Sequence, residues 1–378
     1  MDLSSFAIDG LVPSRVDRPS TTAEVASVIG DAHRAREAVV VHGGGTRIGV
    51  GDAPARYDGA VDLRGLTGIV EHSAPDLVCT VRAGTTIAEL ASGLASKGQR
   101  WPVDVADPER ATVGGTIASA APSPTRLRYQ HPRDWVIGCE AVLGDGTVTR
   151  AGGRVVKNVT GYDLTRLYSG SFGTLAVITE VSLKLVATDE RTATMRFGQG
   201  RAGGDGIAAT ELAAMAHQLR SEAFEAIVFV GGREPALYVR VSGAASVVER
   251  LSGSSDSAAA ITHEAWSALL ARVTNERFVA RISVPPGREI DLIAGDAHAY
   301  VGTGLAFLFG ERSDDELRER RSKCESAGGA LVIERASPRQ RQSLGTWGTR
   351  RTPGRVAIGL KERFDPNGVL APGRMPLA

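Results

Sequence analysis

Only three cysteines occur in the 378 residues, Cys79, Cys139 and Cys324, and no two of them form a Cys-x-x-Cys pair. An odd number at such spacing excludes a disulfide framework and offers no zinc or iron–sulfur ligand set. Long apolar runs are scarce as well. The longest, near 299–309, falls well short of the roughly 20 residues that a spanning helix needs. The opening MDLSSFAIDG lacks the basic-then-apolar pattern of a targeting signal, so the expectation is a cytoplasmic protein that reaches a membrane only through partners. A net charge of +1 leaves no basic surplus for nucleic acid. No Gly-x-x-x-x-Gly-Lys-Ser/Thr is found, which disfavours a P-loop.

What is present reads as a soluble chain with two cores. Thr21 and Glu24 stand at capping-box spacing, and Val25, Val28, Ile29 and Ala32 follow at helical spacing, predicting a helix over 21–37 and a buried strand at 38–41. Thr86 and Glu89 open a second helix that Gly98 ends. Strands are expected at 77–82 and 136–143, a hairpin turn at 144–146, and a half-buried strand over 176–186. Residues 1–187 thus form one α+β domain. Beyond it, strand-like runs at 226–230, 236–241, 279–284, 305–309 and 330–334 alternate with helix-like segments, notably 207–220 and 313–326. The Ser/Gly/Ala stretch at 252–260 reads as a loop or linker.

The segment His42-Gly43-Gly44-Gly45-Thr46-Arg47-Ile48-Gly49 follows the predicted strand. Three consecutive glycines let backbone amides approach an anion, with Thr46 and Arg47 as further donors. The spacing is not Gly-x-Gly-x-x-Gly, because Ile48 stands where the third glycine belongs. A lone triple glycine is equally a flexible turn. Two more glycine turns, 111–119 with its helix start turned to the same phosphates and 170–178 entering a strand, shift the reading towards one large phosphate-bearing cofactor.

VVVHGGGTRIGVG, ATVGGTIASA and VVKNVTGYDLTRLYSGSFGTLAVITEVSLKL resemble the FAD-binding domain of the vanillyl-alcohol oxidase type. With LKERFDPNGVLAPGRM at 360–375, the chain is similar to the FAD-binding subunits of bacterial glycolate oxidase. The resemblance implies a two-subdomain FAD-binding domain at 1–187, a mixed α/β cap domain at 188–345, and a C-terminal segment, 346–378, returning to the FAD domain. His42, Gly43, Gly44, Gly45, Thr46, Arg47 and Ile48 would line the pyrophosphate. Thr112, Gly114, Gly115, Ala118 and Ser119 would form a second wall, and Gly173, Thr174 and Ile178 would meet the flavin or ribityl side. Tyr162 and Asp163 either touch FAD or position their turn. Relatives with covalent FAD carry a His directly after the loop glycines or a Cys in the second segment; here stand Thr46 and no Cys across 111–120, which implies non-covalent FAD. A second departure is the stretch around Ser123 and Gln130, near whose counterparts the family commonly has glycines.

Relatives that oxidise 2-hydroxy acids alone carry a clustered His and acidic motif in the second half. The seven histidines here, at 33, 42, 72, 131, 217, 263 and 298, are scattered, so no metal site and no catalytic base is assigned. The resemblance implies a FAD-binding oxidoreductase working as a subunit of a glycolate or D-lactate dehydrogenase complex, its flavin taking two electrons from a small 2-hydroxy acid and passing them towards iron–sulfur centres, with a second flavin subunit and an iron–sulfur subunit as partners. A self-sufficient FAD dehydrogenase of unknown substrate and a non-catalytic FAD-carrying scaffold remain as alternatives.

Overall fold

The Thr21 hydroxyl accepts from the Glu24 amide and starts α1 (Thr22–Ala35), but the Glu24 carboxylate accepts from Ser20 instead of completing the box. Val25, Ile29 and Ala32 are fully buried beneath this helix. Arg36, in the left-handed region at φ 56°, ends it. The computed structural model describes residues 2–153, 162–198, 208–219, 224–253, 258–348 and 354–376. Residues 155–161 of the third resemblance segment and 254–257 of the predicted linker lie outside them.

One unit comprises residues 1–121, 131–188 and 349–378. In it β1 (Arg15–Asp17), β2 (Val39–His42) and β3 (Gly59–Asp62) make a parallel sheet in the order β1-β3-β2. An antiparallel sheet, in the order β4-β5-β9-β7-β8, consists of β4 (Ile69–Ser73), β5 (Val78–Arg82), β7 (Val136–Leu143), β8 (Val148–Gly152) and β9 (Ala176–Lys184). The pair β6 (Gln99–Arg100) and β10 (Val186–Ala187) stands beside it. The helices are α2 (Ile87–Ala95), which has the full Thr86–Glu89 capping box, α3 (Val113–Ala118) and α5 (Leu164–Tyr168). Expected as half-buried, β9 is buried along nearly its whole length. Ile178, Val181 and Leu183 face a core with Leu90, Leu94 and Ile117, while Val177 faces the core under α1. Both faces of this central strand are covered, so alternation with polar residues has no solvent side to serve.

The C-terminal residues join this unit. After α11 (Arg355–Phe364), Val369 and Leu370 are fully buried against α1 and β2. The Val39 amide donates to Val369 O at 2.8 Å and the Ala371 amide to Val39 O at 2.8 Å, so the tail lies parallel to β2.

The other unit comprises residues 122–130 and 189–348. Its eight-stranded antiparallel sheet uses β11 (Arg191–Phe197), β12 (Phe224–Val230), β13 (Ala236–Gly243), β14 (Ala259–Ile261), β15 (Val279–Ser283), β16 (Ala297–Tyr300), β17 (Leu305–Phe309) and β18 (Ala330–Arg335). The helices α6 (Ala209–Gln218), α7 (Ala245–Gly253), α9 (Asp314–Ser326) and α10 (Pro338–Leu344) share one core with it. On α8 (His263–Asn275), Trp266, Leu270 and Val273 pack against Ala226, Val228 and Phe307 in a second core. The short α4 (Arg126–Tyr129) groups here, with Arg128 donating to Ser242 Oγ at 2.9 Å. Part of the expected linker is strand β14, and a further strand, β11, follows residue 190. Among the described residues no helix is long and apolar enough to cross a membrane.

Candidate functional site

Strand β2 delivers the chain into the glycine loop, where the Ile48 amide donates to Gly45 O at 3.3 Å and Gly45 takes φ 74°. A Cβ on Gly43 would lie 2.4 Å from Thr112 Oγ1, and one on Gly44 only 1.5 Å from the Arg110 carbonyl oxygen. Glycine is therefore required because the loop lies directly on the segment leading into α3. The amides of Gly44, Gly45 and Thr46 donate to no protein group among the described residues. Three adjacent donors are left for a ligand.

The second segment acts differently from its expected role as a helix start facing phosphates. The amide of Val113 donates to Thr85 O at 2.9 Å, that of Gly114 to Ala83 O at 2.8 Å, and that of Gly115 to the Thr112 hydroxyl at 3.2 Å. With these donors consumed, α3 supplies a close wall and no anion site. A Cβ on Gly114 would stand 2.6 Å from Ala83 Cβ, which shows how tightly the wall is seated. The third turn is tied to this wall, since Phe172 N donates to Ala118 O at 2.8 Å and Gly170 N to Ile117 O at 3.1 Å.

The three segments meet around one open pocket of about 810 Å³, its mouth and the adjoining solvent included. It brings together Gly43, Gly44, Gly45, Thr46, Arg47 and Ile48 with Thr112, Gly114, Gly115, Ala118 and Ser119, and with Gly173 and Ile178. Val41, Leu63, Ala83, Phe172, Ala176 and Val177 supply apolar surface. Among the described residues, Arg47 and Arg374 are the charged side chains of the lining. Free loop amides, two cations and an apolar remainder fit a ligand with a diphosphate and a flat ring system, so the chain's residues fit FAD.

His42 and Thr174 do not line the pocket. Thr174 donates from its hydroxyl to Ser171 O at 2.7 Å. His42 is buried, 2.7 Å from the Tyr57 hydroxyl, and stacks edge-on to Phe6 at 5.1 Å. Burial drives its pKa down to about 4, so it is a neutral anchor for the loop's first residue. Asp163 caps α5 by accepting from the Arg166 amide at 3.2 Å, and Tyr162 is 92% exposed. Sequence reasoning missed Arg374 and Phe172 as lining residues, although both stand inside the segments that carried the resemblance.

No group of three His, Cys, Asp or Glu side chains able to hold a metal occurs among the described residues. His298 is buried beside Arg272 at 3.3 Å, and burial lowers its pKa to about 3, while His263 is exposed at the start of α8.

Residues 13–152 match the family model described as FAD binding domain. Glycolate oxidase subunit GlcE of Escherichia coli (strain K12) is 30% identical over 322 residues, covering 83% of this chain and 86% of that protein. Glycolate oxidase subunit GlcD of Bacillus subtilis (strain 168) is 34% identical over 184 residues, covering 49% of this chain and 39% of that protein. The chain thus matches well under half of GlcD's length. Among solved structures, an alkyldihydroxyacetonephosphate synthase superposes with a TM-score of 0.68 over 96% of this chain and 77% of its own, at 16% identity, a likeness of fold alone. The glycine-loop pocket and the near-full-length match to GlcE together make this chain a member of the FAD-binding oxidoreductase family of the glycolate oxidase subunits, with an FAD-binding fold of the vanillyl-alcohol oxidase type.

Proposed function

We propose that this chain is the FAD-carrying subunit of a 2-hydroxy acid dehydrogenase complex of the glycolate oxidase kind, working with a second flavin subunit and an iron–sulfur subunit. The observation that carries the reading is the pairing of a well-formed cofactor pocket with the lack of any clustered His, Asp or Glu constellation among the described residues. Bound FAD supplies two-electron oxidation–reduction chemistry. The loop amides of Gly44, Gly45 and Thr46 hold the diphosphate, and Gly114, Gly115 and Ala118 allow close approach at the second wall. Gly173 and Ile178 border the far side of the pocket.

Attachment is non-covalent in this reading, because the described lining holds no His, Cys or Tyr. Cys79 and Cys139 are buried, and burial pushes each thiol up to about 12, far from a reactive thiolate. Oxidation of a 2-hydroxy acid needs a base for the hydroxyl proton and a cation for the carboxylate, both set against the flavin. With no clustered His, Asp or Glu constellation among the described residues, the proton acceptor in this reading comes from a partner subunit.

Anaerobic mixing of the FAD-loaded chain with glycolate or D-lactate, alone and together with its partner subunits, tests the reading. Flavin absorbance should fall slowly in the isolated chain and rapidly in the complex. Rapid stoichiometric bleaching of the isolated chain would overturn the subunit reading in favour of a self-sufficient dehydrogenase.

A further inference from the structure

Arg374 lies more than 300 residues from the glycine loop in sequence, yet it is only 3% exposed and lines the same pocket. Its Nη2 donates to the Ile48 carbonyl at 2.5 Å and to that of Val50. The approach is so close that a Cβ on Gly51, which has φ 111°, would stand 2.9 Å from Arg374 O and 3.3 Å from Arg374 Nη2. The Asp52 amide also donates to Arg374 O at 3.2 Å, and the Ala55 amide to Pro372 O at 2.8 Å. The loop's exit is thus held to the tail at four points.

Two consequences follow from this geometry. A guanidinium that holds carbonyls 48 and 50 fixes the peptide planes at the exit of the loop, which limits the freedom of the Gly44–Thr46 backbone just before it. The same guanidinium, nearly fully buried, brings a fixed, weakly hydrated positive charge into the pocket lining, and such a charge is worth most where water is excluded. A surface arginine gives neither effect. We propose that Arg374 is a cofactor-binding and positioning residue, contributed by the C-terminal segment, that braces the glycine loop and neutralises the diphosphate of the bound dinucleotide.

The proposal rests on the FAD reading above and adds that the site is incomplete without the tail. It is tested by titrating FAD into apoprotein at low and high salt, with the melting temperature of each apoprotein measured alongside, for the wild type, Arg374→Gln and Arg374→Lys. The glutamine can still donate to the carbonyls but carries no charge. Its FAD Kd is expected to weaken about tenfold to a hundredfold, as for loss of a charge-assisted hydrogen bond, with a shallower salt dependence than the wild type. Lysine keeps the charge without the fork and should fall between the two.

A folded Gln variant with the wild-type Kd, or one that weakens while keeping the wild-type salt dependence, overturns the charge role. If Arg374→Gln does not fold, Arg374→Lys decides: a folded Lys variant with the wild-type Kd overturns the bracing role of the fork, and one with a shallower salt dependence than the wild type overturns the charge role. A wild type that binds no FAD at all would instead sink the FAD reading on which the proposal stands.

Discussion

His42 Nε2 and the Tyr57 hydroxyl are 2.7 Å apart, and that hydroxyl donates onward to the Phe6 carbonyl at 2.9 Å, so the imidazole carries its proton on Nε2. With its pKa near 4 in the fold, against 6.5 for an ordinary histidine, His42 binds fewer protons folded than unfolded in the window between those values. Its contribution to stability is complete above about pH 6.5 and is lost as pH falls towards 4. His298, lowered to about 3, acts in the same direction. Between pH 7.5 and pH 5 the wild type should lose about 2 kcal/mol more stability than His42→Gln, whose residue 42 does not titrate. Urea unfolding at the two pH values measures this, and equal losses would refute the buried neutral assignment.

Thr46→Glu tests the anion site without disturbing its frame. Substituting Gly44 drives a side chain into the Arg110 carbonyl and alters the loop itself. Thr46 is partly exposed and not glycine-restricted, so a glutamate there adds only a repelling charge beside the diphosphate. FAD affinity should fall at least about a hundredfold, a few kcal/mol of lost attraction and added repulsion, with the far-UV spectrum unchanged. Undiminished binding would move the diphosphate elsewhere.

Asp365 is the knot of the tail. Its carboxylate is buried and accepts from the amides of Val369 and Leu370, each at 2.8 Å, and from Lys361 Nζ at 2.6 Å. Lys361 also donates to Thr174 O at 2.7 Å, which ties the tail to the third turn. Asp365→Asn leaves the Lys361 charge without its counter-ion and should cost about 3 kcal/mol, read as a lower urea midpoint. Removal of residues 360–378 should cost more and weaken FAD binding too. A truncated chain with full-length melting temperature and FAD content would make the tail dispensable.

Much of the site was legible because glycine reports backbone approach. The sequence offered Gly43 and Gly44 as room for an anion and Gly114 through the resemblance, and in the structure each also stands where a Cβ would strike a protein neighbour. The consumption of the α3 amides by Ala83 and Thr85 was not legible, since it depends on chain crossings between segments some 30 residues apart in number. Arg374 was hidden in the same way: its partners are carbonyls, which have no sequence signature. Strands β2, β5, β7 and β9 were readable from apolar runs, whereas β1, β3 and β4 were not, and the burial of β9 on both faces depends on what covers each side.

Gln130 is a place where sequence and backbone disagree in an informative way. The resemblance puts glycine near this position, and Gln130 adopts φ 61° and ψ −144°, a region that side chains rarely enter. Gln130→Gly should therefore raise stability by about 1 kcal/mol, the relief of strain less the added freedom of the unfolded chain. A lower melting temperature for the variant would show the Gln130 side chain to contribute more than its backbone costs.

The central claim is that one FAD sits, without a covalent bond, in the pocket closed by the glycine loop. Titration of apoprotein with FAD, followed by acid precipitation of the saturated complex, tests it most directly. One flavin should bind per chain and appear entirely in the supernatant after precipitation; no binding, or flavin that stays with the precipitated chain, would contradict the account.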